Sequence, residues 1–153
     1  MIGVVAAIAG AVCLLAAVRV RRRYVVVTVD GESMLPTFRP GERLVVRRTP
    51  PPELRAGLVV VFAGSDPPPP AGHPGTRWII KRVAAVPGDP VPRDTVPALR
   101  DEPGARVPPG RLVVLGDNPD RSYDSRHCGY VTTDGLLGVV RRKVEQRPGR
   151  GGR

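Results

Sequence analysis

The apolar positions along the chain fall into two unlike patterns. The first is continuous: "MIGVVAAIAGAVCLLAAV" runs from Met1 to Val18 without a charged side chain. Wound as a helix at 1.5 Å per residue, such a run is about 27 Å long, close to the hydrocarbon thickness of a bilayer. A cleaved signal peptide has a basic start and a small-residue cleavage site after its apolar stretch. Here the start is bare and the run passes into "RVRRR" at 19–23. Residues 1–18 therefore predict a retained transmembrane anchor, and 19–23 a basic juxtamembrane segment.

The second pattern is broken into short β-branched runs. "YVVVTVD" (24–30), "RLVVRR" (43–48), "LVVVF" (58–62), "RWIIKRVAAV" (77–86), "RLVVLGD" (111–117) and "GLLGVVRRKV" (135–144) read as strands. Gly and Pro punctuate the gaps, as in "RPGE", "VPGDP" and "VPPGR". No segment after residue 20 keeps a helical period over three turns. The pattern predicts a mostly β, single antiparallel domain over 24–145, with the transmembrane helix before it. The Pro/Gly-rich stretches at 63–75 and 87–110 have little means of burying apolar surface, and are predicted to be exposed and mobile loops. The tail at 146–153 is predicted to be disordered.

Composition narrows the partners. About 130 residues remain beyond the anchor, enough for one modest core. Aromatic residues make up only 4% of the chain, so that core must come from Val, Leu and Ile. The net charge is +10, and all the basic residues except Lys81 and Lys143 are arginine. Such a balance accompanies nucleic-acid binding or attraction to anionic lipid. Beyond 19–23 the arginines are scattered and no aromatic residues interleave them, so no nucleic-acid partner is expected. Cys13 lies in the anchor and Cys128 far from it, which argues against an internal disulfide. With only His73 and His127, no spaced ligand set for a metal is present. His127 and Cys128 are adjacent, and on an extended strand they would point to opposite faces, a poor nucleophile–base pair.

Three segments carry unusual chemistry. "GESMLPTF" (31–38) places Ser33 just after a strand, with Pro36 stiffening the backbone. A plain turn is the ordinary reading, and a nucleophile on a fixed backbone the sharper one. Lys81 sits inside an apolar strand of a chain that otherwise uses arginine. Arginine stays protonated at ordinary pH, whereas a buried lysine can lose its proton and act as a base. A solvent-facing strand lysine remains the alternative on these residues alone. The third segment, "GDNPDRSYDSR" (116–126), is a polar loop after an apolar strand. A nucleophilic serine needs a base, neither histidine has a fixed frame, and Ser–Lys is a known variant of the triad logic.

Taken together, these segments resemble the bacterial type I signal peptidases, the membrane-bound Ser–Lys leader peptidase family. "GESMLPTF" resembles the nucleophile box and "GLVVVF" the strand box that follows. "IKRVAAVPGD" resembles the general-base box, and "GDNPDRSYDSRHCGYV" the last box. The four occur in the family's order over residues 25–140. The resemblance implies a coiled, barrel-like antiparallel β fold, with Ser33 as nucleophile and Lys81 as general base. It implies that Ser122 orients the lysine amine, that Asp124 and Arg126 pair to brace the loop, and that Met34 shapes the floor of the substrate cleft. Asp117 and Asn118 are expected to be structural. No metal or organic cofactor is implied. Gly31 stands where some members carry a hydroxyl oxyanion donor, which leaves the Ser33 N–H as the main donor. Pro119 replaces a common arginine, and the family's large inserted second domain is missing, so the form is minimal and Gram-positive-like.

The implied function is a membrane-anchored serine endopeptidase removing signal peptides from exported precursors after small residues, of Ala-x-Ala type. Its partners would be those precursors and the lipid bilayer, and it is expected to act as a monomer. An unperturbed lysine is only about one part in a thousand neutral near pH 7.4, so the reading requires a lowered pKa. Membrane sidedness draws two signals. The positive-inside rule assigns 19–23 to the cytoplasm, whereas the family's catalytic domain is extracytoplasmic. A single-pass cell-membrane protein with an extracytoplasmic catalytic domain is the expectation. A cytoplasm-facing maturation peptidase with one dedicated precursor is the alternative, and a non-catalytic, membrane-tethered peptide-binding β-domain a second one.

Overall fold

A computed structural model describes residues 2–63 and 78–144, with 2–9 and 63 described by backbone alone. Most of the predicted loop at 63–75, with His73, lies outside the described residues, as does the tail at 146–153. Helix α1 spans Ile2–Arg23 and ends on Arg21, Arg22 and Arg23, where its terminal carbonyls favour cations. Among the described residues no helix is long and apolar enough to cross a membrane. The side chains of the first half of the predicted span, residues 1–9, lie outside that description.

The chain passes from α1 directly into a sheet. Its strands are β1 (Tyr24–Thr28), β2 (Arg43–Arg47), β3 (Val59–Ala63), β4 (Trp78–Ala85), β5 (Arg111–Leu115), β6 (Val131–Thr132) and β7 (Leu136–Lys143). Their order is β1-β2-β7-β3-β4-β5-β6, and every pairing is antiparallel. All six predicted strands are present; the two-residue β6 was not foreseen. Register shifts at Val45/Val46, Val61/Phe62 and Val83/Ala85 bend and twist the sheet. No pairing joins β1 to β6 among the described residues, so the coil is open there rather than a closed barrel.

The central position of β3 explains its uninterrupted apolar run. Val59 and Val61 pack in one core cluster with Val27, Met34, Leu44, Val46 and Ile80. Val60 and Phe62 pack in a second, with Leu54, Val83, Leu112, Val114 and Val139. A strand buried on both faces loses the alternation that a half-exposed strand shows.

The segment 87–110 corrects the expectation of an exposed, mobile loop. Val91, Val96, Leu99 and Val107 are buried in a third cluster with Ala85 and Val113. Backbone bonds from Gly88 N to Val107 O (2.9 Å), from Val107 N to Asp89 O (2.9 Å) and from Val91 N to Ala105 O (3.0 Å) hold it together. The Arg93 and Arg106 guanidiniums donate to the carbonyls of Glu102 (2.9 Å) and Gly88 (2.7 Å). The Val and Leu residues here are few, but all of them are buried, so turn-rich composition does not mean an unpacked chain. His127 and Cys128 are likewise not on an extended strand. They close a one-turn helix, α2 (Ser125–Cys128).

Candidate active site

The turn carrying Ser33 is built by its neighbours. Gly31 takes a φ of 85°, which side-chain-bearing residues rarely adopt, and redirects the chain after β1. Leu35 N bonds Glu32 O (3.1 Å) and Phe38 N bonds Met34 O (2.9 Å), which tightens residues 32–38. Met34, 1% exposed, is sunk in the first core cluster beneath the turn, while Ser33 stays half-buried. Met34 thus anchors the backbone of the Ser33 turn to the core.

Lys81 comes from β4, opposite Val60 of β3. Its side chain is buried, and Nζ lies 2.9 Å from Ser122 Oγ. Ser122 Oγ in turn donates to Asp124 Oδ2 at 2.6 Å. The Asp124 carboxylate, with no exposed side-chain surface, also accepts from Gly116 N (2.8 Å), Arg126 N (3.1 Å), Arg126 Nε (3.1 Å) and Arg126 Nη2 (2.7 Å). Arg126 Nη2 also donates to Gly116 O (3.0 Å). Asp124 caps α2 as well, which fixes where Arg126 begins.

This polarity has a chemical consequence. Burial raises the Asp124 pKa, but hydrogen bonds from Arg126, the Gly116 N–H and Ser122 outweigh it and hold the carboxyl well below the usual carboxylate range. An ionised carboxylate can only accept, so the Ser122 proton points at Asp124 and a Ser122 lone pair faces Lys81. The amine therefore donates to Ser122 and keeps its own lone pair free when neutral. Burial lowers the Lys81 pKa from its ordinary 10.5; Asp124 opposes this, Arg126 adds to it, and Cys128 opposes it. Asp124 is the main influence that favours the protonated amine, and burial outweighs it with the help of the Arg126 guanidinium that engages the same carboxylate.

A second network clamps the Ser33 turn to the same loop. Arg82, the next residue of β4, grips Asp117 with Nε to Oδ1 (2.8 Å) and Nη2 to Oδ2 (2.7 Å). Thr37 Oγ1 donates to Asp117 Oδ2 at 2.6 Å. The Arg82 hydrogen bonds lower the Asp117 pKa against the pull of burial, and Thr37 adds to that lowering. Asn118 N donates to Ser33 O (2.9 Å), and Asn118 Nδ2 to Glu32 O (3.1 Å). Successive strand residues point to opposite sides, so β4 offers Lys81 to one partner and Arg82 to another.

Ser122, Asp124, Arg126 and the backbone carbonyl of Ser33 meet around Gly116, a residue with no distinguishing mark in the sequence, and Lys81 joins them through Ser122; Ser33 Oγ makes no hydrogen bond to Lys81 among the described residues. A Cβ there would collide with Ser122 Oγ and Cβ and come 2.7 Å from Ser33 O. In sequence it is one more glycine ending a strand, and only the close approach of two loops reveals its role. His127 stacks on Tyr123, with ring centroids 5.3 Å apart. Cys128 Sγ donates to Asp124 O at 3.3 Å, and burial raises its thiol pKa. No cluster of metal-ligating side chains exists among the described residues.

Comparison with known proteins agrees with this geometry. The family described as signal peptidase, peptidase S26, matches residues 1–97 and 92–144. "Probable signal peptidase I-1" of Synechocystis sp. is 33% identical over 131 residues, 72% of this chain and 65% of that protein. "Signal peptidase I" of Bacillus caldolyticus is 30% identical over 165 residues, 85% of this chain and 84% of its own length. "Signal peptidase I V" of Bacillus subtilis is 28% identical over 166 residues, 87% of this chain and 94% of its own. A family match along almost the whole described chain, together with relatives at this identity, shows that the chain belongs to the S26 signal peptidase family.

Proposed function

We propose that the chain is a serine endopeptidase that removes signal peptides from exported precursors by acyl transfer, with Ser33 as nucleophile and Lys81 as base. The observation that carries this is the buried contact between Lys81 Nζ and Ser122 Oγ at 2.9 Å, backed by a carboxylate already saturated with donors. Ser33 Oγ attacks the scissile carbonyl carbon as its proton passes to Lys81, and the Ser33 N–H stabilises the oxyanion. The carbonyl re-forms, the C–N bond breaks, and the lysine proton leaves with the new amine. Water, deprotonated by Lys81, then hydrolyses the acyl-enzyme. Ser122 orients the amine, and Asp124 with Arg126 holds Ser122.

The substrate is an extended peptide with small residues before the cleaved bond, added as a strand beside β1. That strand is at the sheet margin, and its Val26 is 47% exposed. The protein is a single-pass membrane protein anchored by 1–18, with 24–145 as an extracytoplasmic, monomeric peptidase domain. Val12, Leu14 and Leu15 of α1 lie exposed, with no protein covering them, which supports a lipid environment. The arginine cluster at 19–23 favours a second reading, a cytoplasm-facing peptidase with one dedicated precursor. Protease protection of intact spheroplasts separates the two.

The test of the reaction is Ser33→Ala in the full chain, assayed on an Ala-x-Ala precursor peptide. Cleavage should be lost while the melting temperature holds. Wild-type turnover by the variant removes Ser33 as the nucleophile.

A further inference from the structure

One cavity, of about 400 Å³, is lined by groups that the acyl-transfer chemistry does not use. Arg47, Arg55 and Arg141 line it together with Glu53, and Leu54 and Val139 form an apolar wall. Three guanidiniums thus meet a single carboxylate. That carboxylate is engaged, since Glu53 Oε2 lies 2.8 Å from Arg47 Nη2. Arg47 Nε is buried and has no hydrogen-bond partner, and a buried N–H without an acceptor is costly. Arg55 and Arg141 are exposed and have no ion-pair partner among the described residues.

The position of the cavity is as informative as its charge. Arg47 pairs across the sheet with Tyr24, the residue directly after α1. Arg48 N donates to Arg23 O, the last carbonyl of that helix, at 2.8 Å. The cavity therefore sits at the foot of the apolar helix, beside its basic end. Planar guanidinium forks match phosphate oxygens, and an apolar wall beside them suits a glycerol backbone. The volume is within the range of small-ligand sites and exceeds what a bare phosphate fills. A zwitterionic headgroup would need an acidic partner for its cation, and the one carboxylate present is already paired.

We propose that this cavity binds the phosphate of an anionic phospholipid headgroup. The phosphate chemistry stands on the cavity alone. The choice of a lipid source rests on α1 lying in a bilayer, and so on the anchoring reading above.

The test uses the full chain carrying Ser33→Ala, purified in an uncharged detergent, with bound lipid counted by native mass spectrometry. Phosphatidylglycerol should be retained as one saturable adduct at about 10-fold lower concentration than phosphatidylcholine. A basic side chain near an anionic surface contributes about 5-fold in affinity, so Arg55→Gln with Arg141→Gln should weaken retention by about 25-fold. Arg141→Gln alone should give about 5-fold, which keeps the test readable if the double variant folds poorly. Arg21→Gln with Arg22→Gln should leave the single adduct in place. The proposal is overturned if the cavity variants retain phosphatidylglycerol like the parent, or if only the helix-end variants lose it. Glycerol 1-phosphate displacing the lipid at equal concentration would assign the site to a soluble phosphate and overturn the lipid source. Failure of the peptidase reading would leave the adduct count unchanged, so the two can be told apart.

Discussion

Asp124→Asn changes one atom and reverses the polarity of the site. The carboxylate accepts from Ser122 Oγ, Gly116 N and three nitrogens of Arg126. An asparagine has one acceptor oxygen and must turn its amide N–H₂ toward some of these donors. Backbone N–H groups and a guanidinium cannot reverse, but a hydroxyl can. Ser122 would accept from the new amide and swing its own proton toward Lys81 Nζ, which lies 2.9 Å away. The lone pair that takes the Ser33 proton would then be occupied. Hydrogen bonds to charged groups contribute about 1.5–3 kcal/mol, so kcat should fall about 10- to 100-fold. Stability should fall by about 3 kcal/mol, because Arg126 loses a buried counter-charge, although its side chain is 23% exposed and water screens part of the loss. The assay is kcat and KM on one peptide together with a thermal melt, for Asp124→Asn, Ser122→Ala and the double variant. Ser122→Ala alone removes an orienting bond of about 1–1.5 kcal/mol, a loss of about 5- to 12-fold. If a reversed hydroxyl does the damage, deleting it should make the double variant no slower than Asp124→Asn alone. Losses that multiply, or a normal kcat for Asp124→Asn, would refute the reasoning.

Lys81→Arg should be inactive on the same peptide, because a guanidinium cannot accept the Ser33 proton, and substantial turnover would remove Lys81 as the base. Since burial lowers the Lys81 pKa below 10.5, the unfolded chain binds more protons between the two values. The cost of keeping this amine buried is therefore present in full below the folded value and is relieved as pH climbs toward 10.5. Lys81→Met should accordingly melt higher than the parent at pH 7, with the gap narrowing by pH 10; a gap independent of pH would contradict this. Wild-type kcat/KM should rise with pH along one ionisation below the free-lysine value. Gly116→Ala should cost about 1–3 kcal/mol from overpacking and at least about 10-fold in kcat, because its Cβ displaces Ser122; unchanged kcat would mean the loop yields without moving the amine's partner.

What could be read from the sequence depended on how far each feature reaches along the chain. Strands such as β3 and β4 declare themselves in a window of five to eight residues. Lys81 stood out because an arginine-using chain spent a lysine there, and Ser33 and Ser122 through the resemblance of their boxes. The segment 87–110 hid its core contacts, because Val91, Val96, Leu99 and Val107 follow neither strand nor helix period. The clamp joining Thr37, Arg82 and Asp117 was illegible for a different reason. Its members are remote in sequence, and each alone is an ordinary polar residue. The burial of Met34 was also illegible, because a methionine beside a turn suits several environments and only packing tells them apart.

The strand order has a consequence in time. Ser33 belongs to the turn between β1 and β2, and Lys81 to β4, yet β2 and β3 do not touch as neighbours in the sheet: β7 lies between them. β7, made after every residue of the proposed dyad and its support, is the seam that pairs the serine-bearing hairpin with the lysine-bearing strands. A nascent chain that has emerged only as far as residue 130 would carry every residue of the proposed dyad and its support, but not the strand that hydrogen-bonds β2 to β3. Proteolytic competence would then arrive only once β7 has been made and has taken its place between β2 and β3.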